Sequence, residues 1–369
     1  MAETQQLVLP STVLELHAVL SAVAPHQSWE HVLEAGAGFE SLGLAQRTAA
    51  IRDALLVDLP AKYSDVNAVI DAALDSKEFS GWMIWPVSEA LAIRATAGND
   101  DDFRTGLDLI AKVSPRLTSE FALRYFLRVN LDKTLRQAEQ WAQSGDASVR
   151  RLASEGTRPR LPWAKQVPEL FTRPGVTRPI LDQLRRDPSE TVRRSVANHL
   201  NDISRDHPKV ALNIAEGWAE RPEPYTQWVI RHGMRTLIKR GEPRALRLLG
   251  YGDSAALTIT GPTLDVTQLA VGDTLGFDGE VVNNSDSEVR VAVDFVIHFV
   301  KANGSLSPKV FKLTNSTIPA GNTLKVRHTH SLRQLTTRRY YSGEHALELQ
   351  VNGTRFGRTP FTLQTKGEA

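Results

Sequence analysis

The sequence predicts a multidomain chain with an α part and a β part: a HEAT-like α-solenoid over residues 1–253, then an immunoglobulin-like β-sandwich over 254–369. Three observations carry this. Apolar residues recur at helical spacing from Val13 to Ile238. A segment with a cap-like Asp, Ser or Thr and a Val-Arg-Arg or Val-Ile-Arg turn recurs three times. Its Val149, Val192 and Val229 lie 43 and 37 residues apart, and helix-pair repeats of ~40–47 residues are the HEAT and armadillo class. After Gly250-Tyr251-Gly252-Asp253-Ser254 the helical spacing stops and alternation begins.

In order, Val13–Leu20, Ile51–Val57 and Asp65–Leu74 have helical apolar spacing. Trp82-Met83-Ile84-Trp85-Pro86 is aromatic enough for a core, and Pro86 is suited to open the helix Val87–Ala95. Asn99-Asp100-Asp101-Asp102 reads as an acidic cap before Phe103–Lys112. The helix from Ser119 carries Glu120 and Arg124, expected as a structural ion pair, and Leu131–Gln143 follows. The three repeat copies are 146–155, 187–202 and 225–238. In such a stack the acids that end the first two copies, Glu155 and Asp202, face one groove from neighbouring repeats. Strands are expected at 257–260, 274–282, 288–300, 309–313, 323–332, 343–351 and 354–363, with turns at Asn283–Asp286, Asn303-Gly304, Ala320–Asn322 and Asn352-Gly353. Seven short strands in about 115 residues suit an immunoglobulin-like sandwich.

The composition excludes several chemistries. The 369 residues contain no cysteine, which removes disulfides, thiolate metal sites and cysteine nucleophiles. No His/carboxylate spacing argues for a metal, no Gly-rich phosphate loop occurs, and no cofactor is expected. The first ten residues lack the basic and apolar regions of a signal peptide, and no apolar run reaches the length of a membrane span, so a cytoplasmic protein without membrane contact is expected. The net charge of +2 conceals an asymmetry. Residues 150–250 hold 20 Lys+Arg against 11 Asp+Glu, whereas residues 1–149 hold 12 against 20. Seventeen of those 20 are arginine, the residue whose fork matches phosphate, so the basic middle is read as a polyanion footprint, with a merely solvated helix face as the alternative.

The strip Ser154-Glu155-Gly156-Thr157-Arg158-Pro159-Arg160-Leu161-Pro162-Trp163 stands out. A carboxylate at a helix end precedes a glycine that can terminate the helix, then two guanidiniums, two stiffening prolines and an indole. Arginine forks bind phosphate, and an indole face attracts cations. A carboxylate among cations repels phosphate, so it suits the stabilisation of positive charge. The alternative is a surface loop whose Glu pairs with a neighbouring Arg. The loop 336–343 is basic and aromatic, and fits either phosphate contact or a structural tyrosine corner.

The run Glu155–Trp163 resembles the AlkC-type DNA alkylation repair glycosylases, bacterial proteins built on HEAT-like repeats. So do Trp82–Pro86, Glu120–Arg124, Val192–Asp202, Trp228–Gly233 and the C-terminal segment with Thr337-Arg338-Arg339-Tyr340-Tyr341 and Gly343. The likeness extends over most of the chain from Trp82 onward. One departure is Tyr125, where the family pattern has a proline. The resemblance implies hydrolysis of the N-glycosidic bond of cationic bases, 3-methyladenine and 3-methylcytosine, in double-stranded DNA, with the lesion kept in the duplex and not flipped out.

The residues suit that chemistry. An N3-alkylated base is already a cationic leaving group, and the sugar gains oxocarbenium character that a nearby carboxylate stabilises. Glu155 is the first choice for this acid, Asp202 the second, and Trp163 is expected to pack against the deoxyribose or the cation. Arg151, Arg158, Arg160, Arg194 and Arg231 are phosphate-binding candidates, joined by Arg338, Arg339 and Tyr340 from the 336–343 loop. His232 is weighed as a backbone contact against a packed histidine. With no lysine marked for a Schiff base, a monofunctional, monomeric glycosylase is expected, one that acts at the bacterial nucleoid. The competing readings are a non-catalytic HEAT-repeat scaffold for DNA or an acidic protein, and an architectural DNA-binding protein.

Overall fold

The computed structural model describes residues 7–252, 254–334 and 339–365. An all-helical region precedes a β-sheet domain. The chain groups into two compact units, residues 1–214 with 221–233, and 215–220 with 234–369. Among the described residues no helix is long and apolar enough to cross a membrane.

In the first unit the helices stack in successive pairs. Ala147–Glu155 packs on Glu190–Asp206, which packs in turn on Thr226–Gly233. Their starts follow local chemistry. Asp146 caps the first, its carboxylate accepting from the Ser148 N–H at 2.6 Å. Asn99 caps Asp100–Val113 as expected: its Oδ1 accepts from the Asp101 and Asp102 N–H groups, and Asp102 answers by accepting from the Asn99 N–H. Pro86 does not open its helix, which begins two residues earlier at Ile84. The third repeat copy is not one helix. Thr226–Gly233 ends and Arg235–Arg240 begins after Met234, and Gly233 lies so close to the preceding repeat that a Cβ there would sit 2.9 Å from Leu200 Cδ2.

Gly156 plays the equivalent part after Glu155. Its backbone is ordinary right-handed helix (φ −67°, ψ −20°), so it is not required for a left-handed turn. It is required for space, since a Cβ would lie 2.6 Å from Leu123 Cδ2 and 3.0 Å from the Leu152 carbonyl. Gly156→Ala is therefore expected to destabilise the protein by about 1–3 kcal/mol through overpacking, read as a lower urea midpoint with unchanged slope.

In the second unit the strands are β1 Leu257–Leu264, β2 Gln268–Ala270, β3 Thr274–Asn283, β4 Val289–Val300, β5 Leu306–Ile318, β6 Thr323–Ser331, β7 Gly343–Val351 and β8 Thr354–Gln364. They form two sheets, β1-β3-β6 and β2-β8-β7-β4-β5. Phe277, Val281, Val293, Phe295, Leu347 and Phe361 are among the side chains that fill the space between them. The Asn-Gly turns lie where the sequence puts them: Asn352 and Gly353 take φ 45° and 84° between β7 and β8. Three features differ from expectation, the first being β1, which runs on from the expected 257–260 to Leu264. β2 is an additional three-residue strand parallel to β8, and β5 is longer because its edge position tolerates the polar run Thr314–Thr317.

One half-buried acid of this unit has a measurable consequence. Burial pushes the Asp294 carboxyl up to about 6, against the hydrogen bond from Gln350 and the charges of Lys312 and Lys239. The folded chain therefore binds this proton more tightly than the unfolded chain. The destabilising charge is fully present above about pH 6 and is relieved as pH falls toward ~4. Asp294→Asn is expected to raise stability by about 2 kcal/mol at pH ~8, a gain that vanishes near pH ~4 in denaturant titrations.

Candidate active site

Glu155 and Asp202, from neighbouring repeats, are joined through one guanidinium. Arg158 donates from Nη1 to Glu155 Oε1 at 2.5 Å, from Nε to Asp202 Oδ2 at 2.9 Å and from Nη2 to Asp202 Oδ1 at 3.3 Å. All three side chains are buried, at 7%, 3% and 8% exposure for Glu155, Asp202 and Arg158. Burial pulls the Arg158 guanidinium down, but the hydrogen bond to Asp202 and the charges of Glu155 and Asp202 outweigh it and raise its pKa. Burial pushes the Asp202 carboxyl up, opposed by the same fork. The two acids are not equivalent. Both Asp202 oxygens are engaged by Arg158, whereas Arg158 and, at 4.0 Å, Arg151 approach Glu155 through Oε1 alone.

A third carboxylate completes the cluster. Arg151 donates to Glu120 Oε2 at 2.8 Å, and Thr118 Oγ1 donates to the same oxygen at 2.7 Å. Arg151 thus stands between Glu120 and Glu155. The expected ion pair between Glu120 and Arg124 does not form. Arg124 is 1% exposed and turns to the backbone of the strip, donating from Nη1 to the carbonyls of Gly156 (3.1 Å) and Arg158 (2.8 Å) and from Nε to that of Lys165 (2.9 Å). Burial, with the neighbouring charge of Arg158, lowers its pKa to about 10. These three bonds fix a segment that has no ladder of its own. The helix bearing Glu155 is tied to the next repeat by His199, whose Nδ1 lies 3.0 Å from the Ser154 carbonyl and whose Nε2 lies 3.0 Å from Thr177 Oγ1. Burial brings that imidazole to a pKa of about 3, so it is neutral.

At the far end of the strip Trp163 is 65% exposed and has a left-handed backbone, φ 62°. A bulky residue there is strained, and such strain persists only where surrounding contacts impose it. The contacts are aromatic. Trp163 lies parallel to Trp85 (centroids 6.5 Å, 11°), and Trp85 stacks on Phe121 at 4.5 Å. Phe121 follows Glu120 in sequence, so one helix carries both the ring under Trp85 and one acid of the cluster.

The cationic candidates separate into groups. Arg158 turns inward, which corrects its assignment as a phosphate ligand: both neighbouring carboxylates occupy its fork. Arg160 and Arg194 are exposed and paired with Asp206 (2.6 Å) and Glu190 (2.5 Å). Such surface pairs contribute only about 0–1 kcal/mol and yield to a competing anion. Arg231 is exposed. His232 is half-buried, stacks on Trp228 at 5.3 Å and lies 3.3 Å from Asn198 Oδ1, the surroundings of a packed histidine. In the β-sheet unit Arg339 is exposed and lies over the Tyr341 ring at 5.5 Å. Tyr340 is 7% exposed and packs against Phe299 in the sandwich core, which corrects its assignment as a DNA contact. Arg338 lies outside the described residues. Among the described residues no group of three or more His, Cys, Asp or Glu could hold a metal ion. The sequence marked Glu120–Arg124 only as a stretch sharing the family resemblance and as an expected ion pair, not as parts of this cluster.

Three comparisons with known proteins concern the chain as a whole. The family model for the C-terminal Ig-like domain of the uncharacterised protein YhaZ matches residues 258–365. The uncharacterized protein YhaZ of Bacillus subtilis (strain 168) is 35% identical over 313 residues, 85% of either chain. Among solved structures, Pseudomonas fluorescens alkylpurine DNA glycosylase AlkC, bound to DNA containing an abasic site analog, is similar with a TM-score of 0.79 and 33% identity, over 98% of this chain and 99% of that one. Sharing its helical region, its Ig-like domain and nearly its whole length with these proteins, the chain belongs to the AlkC-type family.

Proposed function

We propose that this protein is a monofunctional DNA glycosylase that hydrolyses the N-glycosidic bond of cationic alkylated bases, 3-methyladenine and 3-methylcytosine, in duplex DNA without flipping the base. The helical region to residue 253 carries the chemistry, and the Ig-like domain from 254 onward is its partner in holding DNA. The observation that carries the reading is Glu155: a buried carboxylate held through one oxygen, at the start of a strip that ends in an exposed, strained tryptophan.

The reaction needs no strong acid. The electrons of the C1′–N bond pass to the cationic base, which leaves neutral; water adds to C1′ and releases a proton. Glu155 stabilises the positive charge that develops on the sugar and positions the water, with Asp202 and Arg158 holding it in place. Trp163 offers its π face to the deoxyribose or the cationic base. Arg151, Arg160, Arg194, Arg231 and Arg339 contact phosphates, contributing affinity without sequence preference.

The test is incubation of the purified protein with methylated duplex DNA. Free 3-methyladenine and 3-methylcytosine are expected, with the strand intact until heat or base is applied. Strand cleavage by the protein itself would show lyase chemistry and overturn the monofunctional assignment. Salt-sensitive duplex binding with no base release would leave a DNA-binding scaffold in place of an enzyme.

A further inference from the structure

Of the buried carboxylates of this unit outside the acid cluster, Asp58 is held by His31 and Asp187 by Arg150, which leaves Glu89. Glu89 is 9% exposed on the helix Ile84–Ala97. Its Oε1 accepts from the Trp85 indole N–H at 3.3 Å, and its Oε2 faces Arg52 Nη1 at 3.4 Å. Trp85 is 4% exposed, and it is the ring on which the strip is seated. Leu161 and Ala164 pack on the cluster it forms with Phe121, and Trp163 lies parallel to it.

A buried indole N–H needs an acceptor, and a neutral one suffices. A carboxylate in that place is expensive to bury unless it is paired, which Arg52 only partly does, since that guanidinium also binds Asp53 at 2.7 Å. Burial pushes the Glu89 carboxyl up, against the Trp85 hydrogen bond and Arg52, and its Oε1, 3.3 Å from the indole nitrogen, is the acceptor that orients the Trp85 plane. That plane matters because the Trp163 ring is mostly exposed on a strained backbone and lies parallel to Trp85.

We infer that Glu89 is a positioning residue for Trp163, acting through the Trp85 N–H so that the exposed indole is presented at a fixed angle to the sugar or the cationic base. The inference rests on the glycosylase reading for its kinetic consequence, but its structural half does not. Far-ultraviolet circular dichroism of the folded protein reports coupling between the parallel Trp85 and Trp163 rings, identified as the signal lost in Trp163→Phe. Glu89→Leu is expected to abolish that signal while the helical signal persists, and to lower kcat for release of 3-methyladenine from duplex DNA about tenfold or more with KM little changed, since misplacing a reacting partner by an ångström costs up to about a hundredfold. Glu89→Gln, which keeps an acceptor, should restore most of both. Trp85→Phe cuts the same bond from the other side and should show the same kcat loss, so a failure of Glu89→Leu to fold leaves the inference open to refutation. A Glu89→Leu protein that keeps the coupled-indole signal and wild-type kcat would overturn it, as would wild-type kcat in Trp85→Phe. If the wild-type protein releases no base but Glu89→Leu still loses the coupled signal, the positioning stands and the glycosylase reading fails.

Discussion

Glu155→Gln is expected to slow base release from methylated duplex DNA by about a hundredfold to a thousandfold while duplex binding is retained. A unit charge ~4 Å from the developing oxocarbenium contributes about 4 kcal/mol at an effective dielectric of ~20, which corresponds to roughly a thousandfold in rate. Arg158 and Arg151 draw on the same carboxylate and reduce that figure. The fold should survive, because Arg158 keeps its two-point attachment to Asp202 when the charge on Glu155 is removed. The measurement is single-turnover release beside a binding isotherm on the same DNA. Equal rates for the two proteins would move the chemistry away from Glu155.

The second large effect is on stability. Arg158→Met is expected to destabilise the protein by about 3–5 kcal/mol, because it leaves two carboxylates buried with no common counter-charge. The same substitution should make stability depend on pH. Unpaired buried carboxylates have folded pKa values above their unfolded ones, so the loss is greatest at neutral pH and shrinks as pH falls through the raised values. Adding Asp202→Asn to Arg158→Met should recover part of the loss, as one of the two charges is gone. Urea titrations at two pH values on the single and double variants test this. A pH-independent loss unaffected by Asp202→Asn would show that the guanidinium matters only by its volume.

The meeting of Glu155 and Asp202 was legible because the repeats carry them at corresponding ends, and stacking brings corresponding ends together. What the sequence could not convey is which way Arg158 turns. Its side chain is engaged by Asp202 and its carbonyl by Arg124, both from other helices, and no local pattern encodes partners 34 and 44 residues distant. Arg124 is a similar case: beside Glu120 on an apolar helix it looks like half of an ion pair, yet three carbonyls of an irregular segment outcompete the carboxylate. In the β-sheet unit the Asn-Gly turns are local devices and were readable. β2 is only three residues long, too short to show alternation. The basic and aromatic loop around Tyr340 fitted phosphate contact or a structural tyrosine corner equally, and its packing against Phe299 of β4 decides for the second.

The grip of Arg124 on the strip has a further consequence for how the chain meets a protease. Between Thr157 and Leu184, Arg158, Arg173 and Arg178 each precede a proline, which leaves Arg160 and Lys165 as the peptide bonds open to trypsin. Both are exposed and lie in irregular backbone, the usual profile of a nicking site. Here the Arg158 and Lys165 carbonyls on either side are hydrogen-bonded to a buried guanidinium that belongs to another helix. Threading this segment into a protease cleft requires that guanidinium to be stripped of its acceptors inside the core. Cleavage at Arg160 or Lys165 thus follows the opening of the helical unit and not the breathing of a loop.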